Sequence, residues 1–355
     1  MAIHTDKISV EKSKTSKIGN VDFSNLTFGR EFTDHMFVCD YEDGKWQNPK
    51  VIPYQAMSYE PSARVFHYGQ AVFEGMKAYK DDDGKVFLFR PKQNFDRINK
   101  SSARLAMPAF PENYFFEGLE TLLKLDNEWI KPGVGNSLYL RPFVIATEPA
   151  ISASPANMYR FMIICSPAKS YYNSAVRVLI AEHFSRSANG GVGAAKAAGN
   201  YAAQFYPTSL AQQKGFQQII WTDADTHTFL EEAGTMNVFF RVNDKLITAP
   251  TSDRILDGVT RKSIIQLAED LGITCEVRQV TVEEIKNASK DGSLKEIFGA
   301  GTAAVISPIS AFEHHEELFE IVEVEDSYAK KFKQTLLNIQ HNLSEDKHGW
   351  RREVK

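Results

Sequence analysis

Short runs rich in β-branched and aromatic residues alternate with helical periodicity along the whole chain, and this alternation limits the fold to a mixed α and β class. Val86-Phe-Leu-Phe-Arg90 reads as a strand, and Pro91 at a first helical position opens a helix toward Met107. A second helix is expected over Phe115–Trp129. Ser137–Ile145 and Met158–Cys165 follow as strands; Pro142 interrupts the first, which is therefore expected at a sheet edge. Further strands are expected at Val176–Ala181, Gln217–Thr222, Asn237–Val242 and Lys245–Thr248, with helices near Tyr201–Lys214, Thr260–Leu271 and Ser327–Leu343. Thr281-Val-Glu-Glu284 has capping-box spacing, so its hydroxyl and carboxylate are expected to satisfy free amides of a short helix.

At 355 residues the chain suggests two domains, taking about 150 residues for each. Ser166-Pro-Ala-Lys-Ser-Tyr-Tyr-Asn-Ser174 carries proline, small polar residues and no periodicity, which marks a joint. The expected division is a first domain over 1–168 with an extension over 1–27, a linker over 169–178, and a second domain over 179–355. A net charge of -4 with no dense Lys/Arg stripe gives no reason to expect a nucleic-acid partner, so a small-molecule substrate is expected. Cys39, Cys165 and Cys275 are odd in number and far apart, which argues against a disulfide framework or a cysteine-built zinc site and fits a reducing cytoplasm. The first residues lack an apolar core of signal-peptide length, and no apolar run approaches the ~20 residues that span a bilayer, so no membrane role is expected.

One cation stands alone among small residues in Gly190-Gly-Val-Gly-Ala-Ala-Lys196-Ala-Ala-Gly-Asn-Tyr201. Small neighbours let another molecule approach the backbone, and no carboxylate lies beside Lys196 in sequence to pair with it. A phosphate loop would need Gly-Lys followed by Ser or Thr, whereas Ala195 precedes Lys196 and Ala197 follows it. Gly258-Val259-Thr260-Arg261 ends a loop and opens a helical pattern, so its free amides can hold a phosphate, although a glycine there is more often punctuation. Arg97 can add a bidentate phosphate partner and is equally a helix-surface charge. Glu231-Glu232-Ala-Gly-Thr235 sets carboxylates before a tight turn; such acids usually face water, and the alternative is an acid held beneath a cofactor ring. Gly299-Ala-Gly301-Thr302-Ala303-Ala304 is a second small-residue turn, with a strand on one side and amides able to face a carboxylate.

Five separated motifs together carry a resemblance. Phe66-His-Tyr-Gly-Gln-Ala-Val-Phe-Glu-Gly75, Tyr139-Leu-Arg141-Pro, Gly193-Ala-Ala-Lys196-Ala-Ala-Gly-Asn-Tyr201, Glu232-Ala-Gly-Thr-Met-Asn237 and Gly258-Val-Thr-Arg261 resemble a branched-chain amino acid aminotransferase, in order and spacing, from about Phe28 to the last helix. The resemblance implies a pyridoxal 5'-phosphate enzyme of the class IV aminotransferases, on the α+β two-domain fold type IV shared with D-amino acid aminotransferases. That fold has a smaller N-terminal α/β sandwich and a larger C-terminal domain whose barrel-like sheet is flanked by helices. It implies that Lys196 carries the cofactor as a Schiff base and shuttles the α-proton; an amine held out of water is more readily neutral and nucleophilic. Glu232 would pair with the pyridine nitrogen, Tyr201 would bond the ring's phenolic oxygen, and Thr235 would add a polar contact near the ring. Arg97, Gly258, Val259, Thr260 and Thr302 would surround the phosphate, and Leu256 would pack on the ring face.

For the substrates, namely branched-chain amino acids, their 2-oxo acids and glutamate, the resemblance implies an aliphatic wall of Phe28, Phe73 and Tyr171, with Tyr172 an equal candidate. Tyr68, Tyr139 and Arg141 would form a polar end, while Gly301, Thr302 and Ala303 would receive the α-carboxylate. Ile151, like Tyr68, would close the partner's pocket in a homodimer. A D-amino acid aminotransferase or an aminodeoxychorismate lyase is the alternative on the same fold, and a non-catalytic pyridoxal phosphate carrier is the remote one. Some relatives carry Cys-x-x-Cys after the Gly-Thr-Ala turn; Ala304 and Ser307 stand there in this chain, so a redox switch through that pair is not expected.

Overall fold

The computed structural model describes residues 7–169 and 175–355, and packing divides them into two units. The first takes the chain before residue 170, the strap Ala195–Ala198 and the terminal Leu337–Lys355; the second takes the rest. In the first unit, β1 (Ser9–Val10), β2 (His35–Glu42), β3 (Lys45–Pro53), α1 (Arg64–Tyr68), β4 (Ala71–Phe73), β5 (Met76–Lys80) and β6 (Val86–Phe89) are followed by two helices, α2 (Pro91–Arg104) and α3 (Glu112–Leu125). Then come β7 (Ser137–Ala146) and β8 (Tyr159–Ala168). The sheet order is β1-β3-β2-β8-β7-β5-β6, with β4 also paired to β7. Alternate residues of β2 serve opposite faces: Phe37 and Cys39 join Phe115, Leu119 and Leu122 of α3, whereas Met36 and Val38 join Ile52 and Met162. Each fully buried side chain such as Phe115 or Leu119 contributes about 1.5–3 kcal/mol relative to exposure.

The expectation that Pro142 marks an edge strand is overturned, because β7 lies inside the sheet between β8 and β5. Two short strands explain why proline is tolerated. β4 pairs with β7 as far as Phe73↔Phe143, and β5 resumes at Met76↔Leu140, so Pro142 faces the break at Glu74 and Gly75. There its carbonyl accepts from the Glu74 amide at 2.7 Å, and no ladder partner is left waiting for the N–H that proline lacks.

The second unit comprises β9 (Val176–Ile180), α4 (Gly199–Gln213), β10 (Gln218–Thr222), β11 (Leu230–Ala233), β12 (Met236–Val242), β13 (Lys245–Thr248) and α5 (Val259–Asp270). It continues through β14 (Cys275–Val277), α6 (Val282–Lys290), β15 (Leu294–Gly301), β16 (Val305–His314), β17 (Glu317–Glu320) and into α7 (Tyr328–Gln340). Strands β11-β10-β9-β16-β15-β12 form a closed barrel, since β11 also pairs with β12. A terminal strand, β18 (Arg351–Glu353), pairs with β6 in the first unit's sheet. Val178, Ile220, Val238, Phe240, Ile297 and Phe312 build the second core, packed with Val282 and Ile285 of α6.

Two local expectations are corrected. At α6 the Thr281 hydroxyl accepts from the Glu284 amide at 3.0 Å, but the Glu284 carboxylate goes to the Arg278 guanidinium at 2.6 Å, so the box is half made. Of the segment 299–304, Gly299–Gly301 end β15 and only Thr302–Ala304 form the turn, so strands lie on both sides, with β16 after it. Because Asn237 of β12 lies opposite Ala300 of β15, the Gly234-Thr235 turn and the Thr302–Ala304 turn share one end of the barrel. Among the described residues, no helix is long and apolar enough to cross a membrane.

Candidate active site

In the first unit the strap carrying Lys196 is laid along β4 by its main chain. The Phe73 amide donates to the Lys196 carbonyl at 3.1 Å, the Ala198 amide to the Ala71 carbonyl at 3.0 Å, and Ala197 bridges to Val72. The Ser101 hydroxyl of α2 accepts from the Lys196 amide at 2.9 Å. Thus β4 has β7 on one side and the strap on the other, and the lysine's Cα is fixed by hydrogen bonds that do not involve its side chain. Lys196 Nζ stands 4.8 Å from the centre of the Phe73 ring. Such a face attracts the ammonium.

Arg141 lies near the same ring at 4.6 Å and donates to the Tyr139 hydroxyl at 3.0 Å, while Phe28 meets Tyr139 edge-on at 4.9 Å. Gly75 makes this cluster possible: a Cβ there would come within 2.1 Å of the Tyr139 hydroxyl. Arg97 on α2 grips the buried Glu74 through both oxygens, at 2.7 and 2.9 Å, and Asn94 donates to the same carboxylate at 2.8 Å. Burial alone would raise the Glu74 pKa, but the charges of Arg97 and Lys196 hold it below the usual carboxylate value.

In the second unit Glu231 and Glu232 both lie in β11 and are buried, so the water-facing reading of these acids fails. Glu232 Oε1 pairs with Arg186 Nη2 at 2.7 Å, and its Oε2 accepts from the Leu256 amide at 3.1 Å and from Asn237 Nδ2 at 3.3 Å. Asn237 also donates to the Leu256 carbonyl at 2.9 Å, tying the loop before α5 to β12. Gly258 is required at this place, since a Cβ would lie 1.9 Å from the Asn237 side-chain oxygen. Glu231 pairs with Arg254, and burial still pushes its carboxyl above the usual value. Helix α5 begins at Val259 and Thr260 with Gly258 as its cap residue, and no side chain caps its first amides. The first turn therefore offers N–H groups and a positive dipole end to an anion.

The structure gathers the sequence candidates into three groups. Phe28, Phe73, Tyr139, Arg141 and Lys196 make contacts in the first unit, with Arg97 reached through Glu74 beside Phe73. Glu232, Leu256, Gly258, Val259 and Thr260 form one connected set in the second unit. Thr235, Gly301, Thr302 and Ala303 sit on the two neighbouring turns, where Gly301 lies against the Thr235 carbonyl. Tyr201 is half-buried in the first turn of α4. Tyr68 stands apart: its hydroxyl donates to the Ile151 carbonyl, and Ile151 is 70% exposed. Tyr171 and Tyr172 lie outside the described residues.

Sequence reasoning passed over Arg186, Asn94 and Ser101, and gave no role to Glu74 and Asn237 although both stand inside quoted motifs. Only those motifs offered a signal; Arg186 sits in an ordinary Ser-Arg-Ser context.

Residues 71–312 match the amino-transferase class IV family. The chain is 43% identical over 352 residues to "Branched-chain-amino-acid aminotransferase 2" of Bacillus subtilis, covering 98% of this chain and 97% of that protein. A branched-chain aminotransferase from Thermoproteus uzoniensis, solved with norvaline, superposes with a TM-score of 0.75 at 23% identity, over 90% of this chain and 100% of that one. The PLP-form enzyme from Thermobaculum terrenum does so with a TM-score of 0.74 at 20% identity, over 92% and 100%. The last two likenesses bear on the fold, which is that of the fold type IV aminotransferases.

Proposed function

The chain belongs to the class IV amino-transferases, among the branched-chain-amino-acid aminotransferases, and from that premise we propose that it passes the amino group of leucine, isoleucine or valine to 2-oxoglutarate in a ping-pong cycle dependent on pyridoxal 5'-phosphate. The donor set fits that coenzyme. A primary amine lies against an aromatic face, a buried carboxylate pairs with a buried guanidinium, and a helix start presents uncapped amides. The bound coenzyme supplies an aldehyde carbon and a protonated ring that accepts electrons.

The caged carboxylate of Glu232 is the observation that carries this reading. Arg186 and two neutral donors fix it in a buried setting, a placement that suits an acid meant to keep a ring nitrogen protonated. Lys196 Nζ would hold the coenzyme at its aldehyde carbon, with water as the leaving group, and would move the α-proton of the substrate. Val259 and Thr260 donate backbone amides to the phosphate, Gly258 leaves room for it, and Arg97 and Thr302 add charge and a hydroxyl. Tyr201 donates to the phenolic oxygen, Leu256 covers the ring, and Thr235 adds its polar contact. Phe28 and Phe73 receive the aliphatic side chain, and Arg141 with Tyr139 receives the distal carboxylate of glutamate. Gly301, Thr302 and Ala303 receive the α-carboxylate, which accepts from the backbone amides of Thr302 and Ala303. Exposed Ile151, bonded to Tyr68, supports a homodimer in which both residues close the partner's site.

Mixing the holoprotein with L-leucine and 2-oxoglutarate is expected to form glutamate; absence of glutamate, or turnover of D-alanine in its place, would overturn the reading. Borohydride reduction followed by peptide mapping is expected to leave the coenzyme on Lys196. Lys196→Ala should lose the visible absorbance of the holoprotein and more than about a thousandfold of its activity.

A further inference from the structure

At the barrel end opposite the Thr302–Ala304 turn, two imidazoles and a carboxylate converge. β16 starts at Val305 and ends at His314, and β9 runs parallel to it with Leu179 opposite Glu313, so Glu182 just beyond β9 arrives at the same end as His314 and His315. The β16–β17 hairpin places the two histidines. His314 pairs with Glu317, which leaves His315 and Glu316 as a two-residue turn with φ of 50° and 61°. Successive residues of a strand face opposite sides, but this reversal brings the two imidazoles to 4.0 Å between centres. One ligand atom from each of Glu182, His314 and His315 lies within 4.8 Å of the other two.

Two further observations mark the cluster as a binding site. Glu182 Oε1 accepts from the His315 amide at 2.6 Å, which orients Oε2 at 3.2 Å from His315 Nδ1. A carboxylate steadied through one oxygen by a backbone N–H is the arrangement that holds a metal ligand in place. His314 is 9% exposed, and its buried Nδ1 has no hydrogen-bond partner. A buried imidazole nitrogen without a partner is costly, and His314 is thus a side chain whose hydrogen-bonding capacity the protein alone leaves unused. The nearby ammonium of Lys286 is already balanced by Glu317 at 3.1 Å.

We propose that Glu182, His314 and His315 form a binding site for a borderline divalent cation of the zinc class, separate from the transamination chemistry, which fastens the end of β9 to the β16–β17 hairpin. Two imidazole nitrogens and one carboxylate oxygen suit Zn2+, Co2+ or Ni2+ and disfavour Mg2+ and Ca2+, which prefer all-oxygen sets. Water completes the coordination.

The test is isothermal titration of untagged, chelator-washed holoprotein with zinc chloride. Wild-type protein is expected to take up one zinc per chain and melt at a higher temperature with the metal. His315→Asn preserves a residue at ease with positive φ, and Glu182→Gln preserves shape. Each removes one ligand and should weaken binding by more than about tenfold, since even groups that merely orient a ligand contribute 10–100-fold. Melting temperatures without metal report whether each variant is folded. Equal zinc affinity in wild type and both variants, no uptake by wild type, or equal affinity for magnesium would each overturn the proposal.

Discussion

Glu232 is buried away from water, and Arg186, the Leu256 amide and Asn237 donate to its carboxylate. Replacing its carboxylate by an amide keeps the shape while removing the charge that the proposed contact to a ring nitrogen needs. Glu232→Gln is therefore expected to lower kcat roughly a hundredfold while weakening coenzyme binding less than about tenfold, as steady-state kinetics and coenzyme titration will show. Gly75 acts by what it lacks. A methyl group there collides with the Tyr139 hydroxyl and displaces the partner of Arg141. Gly75→Ala is expected to raise KM for 2-oxoglutarate roughly fivefold more than KM for leucine, about 1 kcal/mol of lost orientation at the polar end. In sequence, Lys196 is singled out by its small neighbours, and Glu232 only by a motif. Arg186 was not legible, because its partner lies 46 residues further along the chain and only folding joins them.

Elements with helical periodicity or β-rich runs bounded by turn signals are legible in sequence, and several other strands are not. Helices α2, α3, α5 and α7 and strands β6 to β10, β12 and β13 lie within a few residues of where periodicity and the Pro91 start place them. The hairpin β2–β3 was passed over because His35-Met-Phe-Val-Cys39 buries both faces and has no period-2 polar pattern. Pro142 misled for a related reason: sequence shows the missing donor but not the gap between two partner strands that makes it harmless. At α6 the cap was legible in full and realised in half, since Arg278 competes for Glu284. Thr281→Ala should consequently cost about 1 kcal/mol in chemical denaturation, and Glu284→Ala should act mainly through loss of the Arg278 pair.

Across the whole molecule, the last residues leave the second unit's sequence and return to the first unit's sheet through β18. His341 in that returning segment is buried against Tyr79, with neither ring nitrogen bonded, and burial with the nearby Lys77 charge pushes its pKa down to about 4. The folded state thus disfavours the proton that the unfolded chain takes up near 6.5. No penalty exists above that pH; it grows as pH falls from 6.5 and levels off near 4, reaching about 2 kcal/mol at pH 5. His341→Leu should flatten this acid loss, measured as stability at pH 7 and pH 5; an unchanged slope would exclude His341 as its source. The strap on β4 has a different consequence. Because its position depends on peptide groups, shortening residue 196 to alanine leaves a lysine-shaped vacancy in an otherwise undisturbed wall. Methylamine or ethylamine added from solution should enter that vacancy and restore part of the lost turnover, more so as rising pH increases the free base.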